Sequence, residues 1–366
     1  MTMLKRISIS GFKTIKDLSN FELRGVNVLI GENGAGKSNF ISFFRLLSFM
    51  CRGDLQRFVS THGFGSAFLF DGPDVTTRIR ADLCFESERG DNEYAFQLAH
   101  GAPDTLVFVD ERFRFSDRSF PTHADWSTFD AGHRESMLPQ EADGGNTTAQ
   151  FIRNCLRRCI VHQFHNTSET ARIRLGWDAS DNRYLKEDGA NLAPVLWRLS
   201  NEQPAHYRRI VETIRQVTPQ FQEFDLDPSN GKLLLQWRER GSDMVFGPHQ
   251  ASDGTLRIMA LFTLFLQPKE TLPDVILIDE PKLGLHPYAL SVLAGLIKSA
   301  SRHVQAIVAT QSLNLLNHFE PEDIVVMDRT ERETRFRRHT SEELADWKTD
   351  YSMGELWEKN VLGGTP

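Results

Sequence analysis

Residues 4 to 10, Leu-Lys-Arg-Ile-Ser-Ile-Ser, alternate in apolar character as a half-buried strand does, and Val26 to Ile30 form a short unbroken apolar run. That second run stops at a glycine-rich turn. Beyond it, Phe40, Phe43, Phe44 and Leu47 recur at helical spacing and predict a helix over 39–49. Between 76 and 117, "TTRIRADLCFES", "EYAFQLAH" and "TLVFVDERFRFS" are strand-like and separated by Gly, Asp and Pro, which predicts an antiparallel meander. Residues 118–148 are polar and rich in Gly, Pro, Asp and His, the composition of a long loop or mobile segment. From about 149 to 221 helical patterns dominate, as in "NLAPVLWRLS" and "HYRRIVETIRQV", and this middle reads as an insertion. A hairpin-like pattern follows in "FQEFDLDPSNGKLLLQWRER". The last third alternates: "TLRIMALFTLFLQ" helix, "DVILID" strand, "LSVLAGLIKSA" helix, then "VQAIVAT" and "DIVVMD" as strands. That order implies an α/β fold with a parallel sheet and helices on its faces.

Composition narrows the classes without naming one. The chain has 366 residues, 40% hydrophobic and 25% charged, enough for one large or two ordinary domains. No apolar run is long enough to span a bilayer, and after Met-Thr-Met-Leu-Lys-Arg the strand pattern begins without a secretory core. Four cysteines do not make a disulfide framework at this length. The expectation is therefore a cytoplasmic protein with no membrane partner. A net charge of -7 argues against a globally basic nucleic-acid binder but leaves room for a local basic groove.

The turn after Ile30 is "GENGAGKSN", Gly31 to Asn39, and it fits G-x-x-x-x-G-K-[ST] through Gly31, Gly36, Lys37 and Ser38. Its context, strand before and helix after, is the one a phosphate loop needs. Glycines allow successive N–H groups to face phosphate oxygens, and the helix adds the positive end of its dipole. Lys37 would neutralise the β- and γ-phosphates of ATP, and Ser38 would ligate magnesium. The competing explanation is a glycine-rich turn with a chance lysine. In "LIDEPKLGLHP" a strand ends in Asp279, suited to the magnesium shell, and Glu280 follows where a general base for water would stand. Acids and Pro281 at such a junction are also ordinary helix-capping residues.

Taken together, "GENGAGKSN", "ASDGTLR" and "ILIDEPKLGLHP" resemble the ABC-type ATPase heads of the RecF and SMC group, and especially the bacterial stand-alone predicted ATPases with an OLD-like head. The ending "YSMGELWEKNVLGGTP" resembles that stand-alone subfamily too, and only 118–148 matches poorly. The resemblance implies a P-loop NTPase head whose parallel core carries an antiparallel β subdomain and a mainly helical insertion. It divides the chain into 1–144, an N-terminal lobe with phosphate loop and meander; 145–221, the insertion; 222–345, a C-terminal lobe with signature, Walker B and switch; and 346–366, a tail. It also implies two heads bound head to tail around two ATP molecules with Mg2+. Gly31, Asn33, Gly34, Ala35, Gly36, Lys37, Ser38 and Asn39 would hold one nucleotide, with Ser38 and Asp279 on the metal. Ser252 and the Gly254 backbone of "SDGT" would touch the γ-phosphate held by the partner, although alone this stretch reads as a turn and helix cap. Gln311 in "IVATQSLNLLN" stands at the switch position, where many relatives have histidine and RecF-like ones often glutamine. "GFKT" resembles an early Phe-Arg element, so Lys13 would reach phosphates or sugar; read alone, it is a solvated charge. No Q-loop glutamine can be placed.

Two constellations carry less. Cys155, Cys159, His162 and His165 in "CLRRCIVHQFH" lack usual zinc spacing and straddle a helix-to-strand change, so core packing explains them better than a metal. Arg153, Arg157, Arg158, Arg208 and Arg209 could line a DNA surface, but charged helix faces are usually just solvated. The expected function is Mg-dependent ATP hydrolysis coupled to DNA-related work or anti-phage defence. The alternative is an ATP-gated scaffold that recruits or restrains a separately encoded nuclease or Toprim-like effector. A transporter subunit ranks third, since such subunits lack this meander, insertion and ending. Lys282 departs from the glutamate usual in the resembling heads. It reads either as a solvated residue in the first turn of a helix or as a charge facing the dimer seam.

Overall fold

The computed structural model describes residues 3–120 and 124–364; residues 1, 2, 121–123, 365 and 366, which include part of the polar stretch and the last two of the C-terminal motif, lie outside the description. Six strands form a sheet in the order Glu333–Arg338, Ile324–Thr330, Val26–Ile30, Gln305–Ala309, Val275–Asp279, Cys159–His162. All neighbours are parallel except the terminal pair Ile324–Thr330 and Glu333–Arg338. The unbroken apolar runs follow from burial on both faces. Ile276 and Ile278 enter one core with Val28 and Val308, while Leu277, Leu29 and Ile307 enter the other. The expected parallel sheet with helices Asp253–Leu266 and Pro287–Ala300 is present.

A second sheet is antiparallel, in the order Ile15–Glu22, Met3–Phe12, Arg78–Glu86, Gly90–Gly101, Thr105–Asp117, Ser127–Thr128. Its three central strands are the predicted meander. Ile15–Glu22 was not legible, because Ile15 and Leu18 are buried at a spacing of three rather than two, next to a register shift between Ile7 and Ile9. Helix Lys37–Met50 shares the core formed between the two sheets. Its Phe43 meets Phe12 edge-on at 5.4 Å and stacks over Phe96 at 6.4 Å. Each such fully buried phenylalanine contributes roughly 1.5–3 kcal/mol, so the helix start is held by packing on several sides.

The polar stretch 118–148 is more ordered than its composition suggests. Ser127–Thr128 pairs with Arg112 and Phe113, and Leu138–Asp143 is a helix. The anchor is Glu111, fully buried, which accepts from Tyr94 Oη at 2.6 Å and from Met137 N at 2.9 Å, with His133 Nε2 at 2.8 Å. A buried carboxylate needs several donors, and this one draws the stretch back onto the sheet to obtain them.

Within 145–221, helices Thr147–Arg157, Leu192–Glu202 and Pro204–Val217 were expected, and so was the change to strand after the first. That strand, Cys159–His162, is an edge of the core sheet beside Val275–Asp279. Strand alternation puts Cys159 and His162 on opposite faces, and Cys155 and Cys159 lie in the inter-sheet core. Burial pushes both thiols up, far from thiolate chemistry. Arg153 pairs with Asp143 and Arg158 with Asp274, so these two arginines hold the fold together. No helix of the described residues is long and apolar enough to cross a membrane.

Candidate nucleotide site

The glycine-rich turn closes at the carboxyl end of Val26–Ile30, the crevice where open α/β sheets bind ligands. Gly34 and Gly36 have φ of 84 and 110, conformations that strain any other residue. A Cβ on Gly31 would lie 2.2 Å from the Met327 carbonyl, and one on Gly36 2.2 Å from Thr334 Oγ1. Thr334, fully buried, donates to the Ala35 carbonyl at 2.9 Å and bonds the Thr14 hydroxyl at 2.8 Å. Asn39 Nδ2 donates to that same hydroxyl at 2.8 Å. Thr14 and Thr334 therefore stitch the loop to both sheets, a role no motif announced. Gly36 has no side chain to cap helix Lys37–Met50, so its first amides remain available to an anion.

Lys37 Nζ donates to the Gly31 and Glu32 carbonyls at 2.7 and 3.0 Å, folded over the loop it belongs to. Burial lowers its pKa, and the carboxylates of Glu280 and Asp279 oppose that. Ser38 Oγ donates to Asp279 Oδ2 at 3.4 Å, so hydroxyl and carboxylate, 241 residues apart, face one point. This hard-oxygen pair suits Mg2+, which takes few protein ligands and completes its shell with water and phosphate oxygens. The residues present fit the ion.

Glu280 has φ of 42, a left-handed conformation that costs a non-glycine residue about 1–3 kcal/mol and is found at functional sites. Two bonds hold it there: its N–H donates to the Ala309 carbonyl at 2.8 Å, and its Oε2 accepts from Gln311 N at 3.3 Å. Burial raises its pKa, opposed by Lys282, by the Gln311 amide and by Lys37. Gln311 Nε2 donates to Asn33 Oδ1 at 2.9 Å and to the Gly31 carbonyl at 3.3 Å. Lys37, Ser38, Asp279, Glu280, Gln311 and Asn33 thus converge.

Two expectations are corrected here. Helix Pro287–Ala300 starts seven residues after Glu280, capped by His286, so Asp279 and Glu280 are not its caps. Lys282 stands in a turn, half-buried, and its charge acts on Glu280 and Lys37, so it is neither in a first helical turn nor merely solvated. Lys13 likewise is not merely a solvated charge. Its Nζ donates to Ser42 Oγ at 2.9 Å and lies over the Phe68 ring at 5.3 Å.

Ser252 caps helix Asp253–Leu266 by accepting from Thr255 N at 3.1 Å. Gly254 is required by contact, since a Cβ there would sit 2.2 Å from the Gly284 carbonyl. Among the described residues, no hydrogen bond joins Ser252 or Gly254 to the phosphate loop. Arg257, one turn on, donates to the carbonyls of Phe164, His165 and Leu283 at 3.1, 2.9 and 2.8 Å. Burial lowers the pKa of His165, opposed by the carboxylate and the backbone of Asp279. His165 and Arg257 therefore link the loop after the edge strand to the site, although only their position in space reveals it. The chain also returns to the phosphate loop near its end: Leu362 O lies 3.0 Å from His339 Nε2, and a Cβ on Gly364 would lie 3.5 Å from Gly31 Cα.

The fold is that of solved SMC heads. One, an SMC head bound to the C-winged helix domain of ScpA, superposes with a TM-score of 0.62 at 16% identity, covering 93% of this chain and 99% of that one. Another, a Pyrococcus furiosus SMC head with an extended coiled coil bound to the C-terminal domain of ScpA, gives 0.61 at 15% identity, covering 96% and 99%. In sequence, 85 residues are 36% identical to the DNA replication and repair protein RecF of Desulforudis audaxviator (strain MP104C), 22% of this chain and 24% of that protein. The chain thus matches about a quarter of that relative's length. Residues 26–317 match the family described as "AAA domain, putative AbiEii toxin, Type IV TA system". With an ABC-type head fold of the RecF and SMC kind around a formed phosphate loop, the chain belongs to this AAA-domain family of nucleotide-binding ATPases.

Proposed function

We propose that the chain hydrolyses ATP with Mg2+ in a head-to-tail dimer, and that this cycle is coupled to DNA-related work or anti-phage defence in the cytoplasm. The observation that carries it is Glu280, held in a strained conformation beside Asp279 and between Lys37, Lys282 and the Gln311 amide. Lys37 and the loop amides bind and orient the β- and γ-phosphates; Ser38 and Asp279 would hold the magnesium, which would supply positive charge to offset that of the phosphates. Glu280 Oε accepts the proton of the attacking water, and Gln311 positions that water. Ser252 and the Gly254 backbone serve the partner's nucleotide, which accords with their lack of bonds to their own phosphate loop. Residues 1–144 and 222–345 act as the two lobes, 145–221 as a mainly helical insertion that lends its edge strand to the core sheet, and 346–366 as a tail. The match to a protein named for DNA replication and repair favours DNA as the partner.

A second mode, an ATP-gated scaffold with slow turnover that recruits or restrains a separate nuclease, is favoured by the bonds of Gln311 across the site, which link nucleotide occupancy to the segment that follows it. Phosphate release with Mg-ATP, and sedimentation with a non-hydrolysable ATP analogue, test the proposal. Magnesium-dependent release and a doubling of mass are expected; no release and an unchanged mass would sink it. Lys282→Glu places an acid beside Glu280 and removes a cation next to Lys37. It is expected to slow turnover about tenfold, the loss of one charge interaction of roughly 1–2 kcal/mol in a half-buried site. Unchanged turnover in a steady-state assay would show that Lys282 has no part in the chemistry.

A further inference from the structure

On the face of the edge strand away from the inter-sheet core, Ile160 and His162 align with Ile276 and Ile278. Beside them, under the end of helix Asp253–Leu266, lies a cavity of about 570 Å³. It is within the range of about 300–1,000 Å³ typical of small-molecule sites. Leu185, Leu264 and Leu272 supply apolar walls. Two polar side chains also line it, His162 fully buried and Gln267 at 4% exposure. Gln267 Oε1 has no hydrogen-bond partner, and His162 has only one ring nitrogen turned to a partner, the Lys186 backbone. Leaving a buried polar atom unpaired costs about 1–3 kcal/mol, and folds tolerate it where a ligand or water completes the set. At the mouth, Tyr184 is 45% exposed, and Arg157 carries no ion pair or hydrogen bond among the described residues. Its neighbour Arg158 is already committed to Asp274 and the Leu272 carbonyl.

We propose that this cavity is a second ligand site, separate from the phosphate loop, for a planar hydrogen-bonding heterocycle with an anionic tail: a nucleoside monophosphate. The apolar walls cover the faces of the ring, and Gln267 Oε1 accepts from its polar edge. His162 adds a lone pair, because burial holds its pKa down at about 4 and keeps it neutral, while its N–H is turned to the Lys186 backbone. Arg157 meets the phosphate at the mouth. The site also has a route to the nucleotide centre. Its strand runs beside Val275–Asp279, and three residues past His162 the chain sets His165 against Asp279. Occupancy here would therefore be felt where the first nucleotide is handled.

The test uses the full chain carrying Lys37→Ala, so that the phosphate loop does not dominate, titrated calorimetrically with AMP, GMP, CMP and UMP in turn. One saturable site is expected for at least one of the four. Gln267→Leu and Arg157→Glu should each weaken it tenfold or more. Gln267→Leu removes an unpaired amide oxygen together with the 3.3 Å bond from Nε2 to the Leu264 carbonyl, at nearly constant volume, so its melting temperature should stay close to that of wild type, which separates lost binding from lost folding. No saturable binding of any of the four, or binding undiminished by both substitutions, overturns the proposal. Because the phosphate loop is disabled throughout, that failure would leave the ATPase proposal standing.

Discussion

Glu280→Gln is expected to cut ATP turnover by about 10²- to 10⁴-fold, the contribution typical of a positioned general base, while ATP affinity changes little. The amide keeps the size and a hydrogen-bond acceptor for the Gln311 N–H, so the strained backbone and its bond to Ala309 have no reason to shift. What it loses is the lone pair basic enough to take a proton from water. A nucleotide that binds but is not cleaved should leave the closed dimer long-lived, so ATP and Mg2+ should give a stable species of doubled mass. Single-turnover phosphate release together with sedimentation checks both halves. Turnover within threefold of wild type would remove Glu280 from the chemistry. If turnover collapses but the cellular phenotype survives, the scaffold mode is the correct one.

Lys37→Ala acts one step earlier and should remove binding itself. Lys37 is directed at the site by two loop carbonyls and sits among acids that its charge offsets. When ATP enters, the ammonium exchanges those carbonyls for phosphate oxygens, forming charge-assisted bonds worth roughly 1.5–3 kcal/mol each. Loss of two such bonds weakens ATP by about a hundredfold or more. The measurement is a fluorescent-ATP titration, with the melting temperature followed in parallel. Wild type should gain thermal stability with ATP and the variant should not. Equal affinity in the two proteins would mean that this turn binds no triphosphate.

The phosphate loop and the strand ending at Asp279 were legible because local sequence specifies them. A glycine pattern between strand and helix has few other uses, and an unbroken apolar run with an acid at its end marks a buried strand that reaches a site. Thr14 and Thr334 were not legible, since a lone threonine carries no signal until two sheets bring it under the loop. His165 was noticed for the wrong reason, as one of four metal-like residues; the cysteines are packed in the inter-sheet core, and His165, past the edge strand, lies beside Asp279. Lys282 was misplaced because Pro281 looked like the start of a helix, when the turn through Gly284 delays that start to Pro287. The Glu111 network escaped notice because its donors are spread from Tyr94 to Met137 and no spacing rule joins them.

The return of the chain to the phosphate loop has a mechanical side. Helix Met353–Glu358 packs on Leu313–Leu316, just past Gln311, and a few residues later Gly364 rests against Gly31. Force applied along this segment would be borne first by the His339 bond to Leu362 and then by the glycines that shape the loop. A single-molecule tether attached to the segment would pull on the switch and the phosphate loop together, so the load at which it peels away should differ between the empty and the ATP-filled protein.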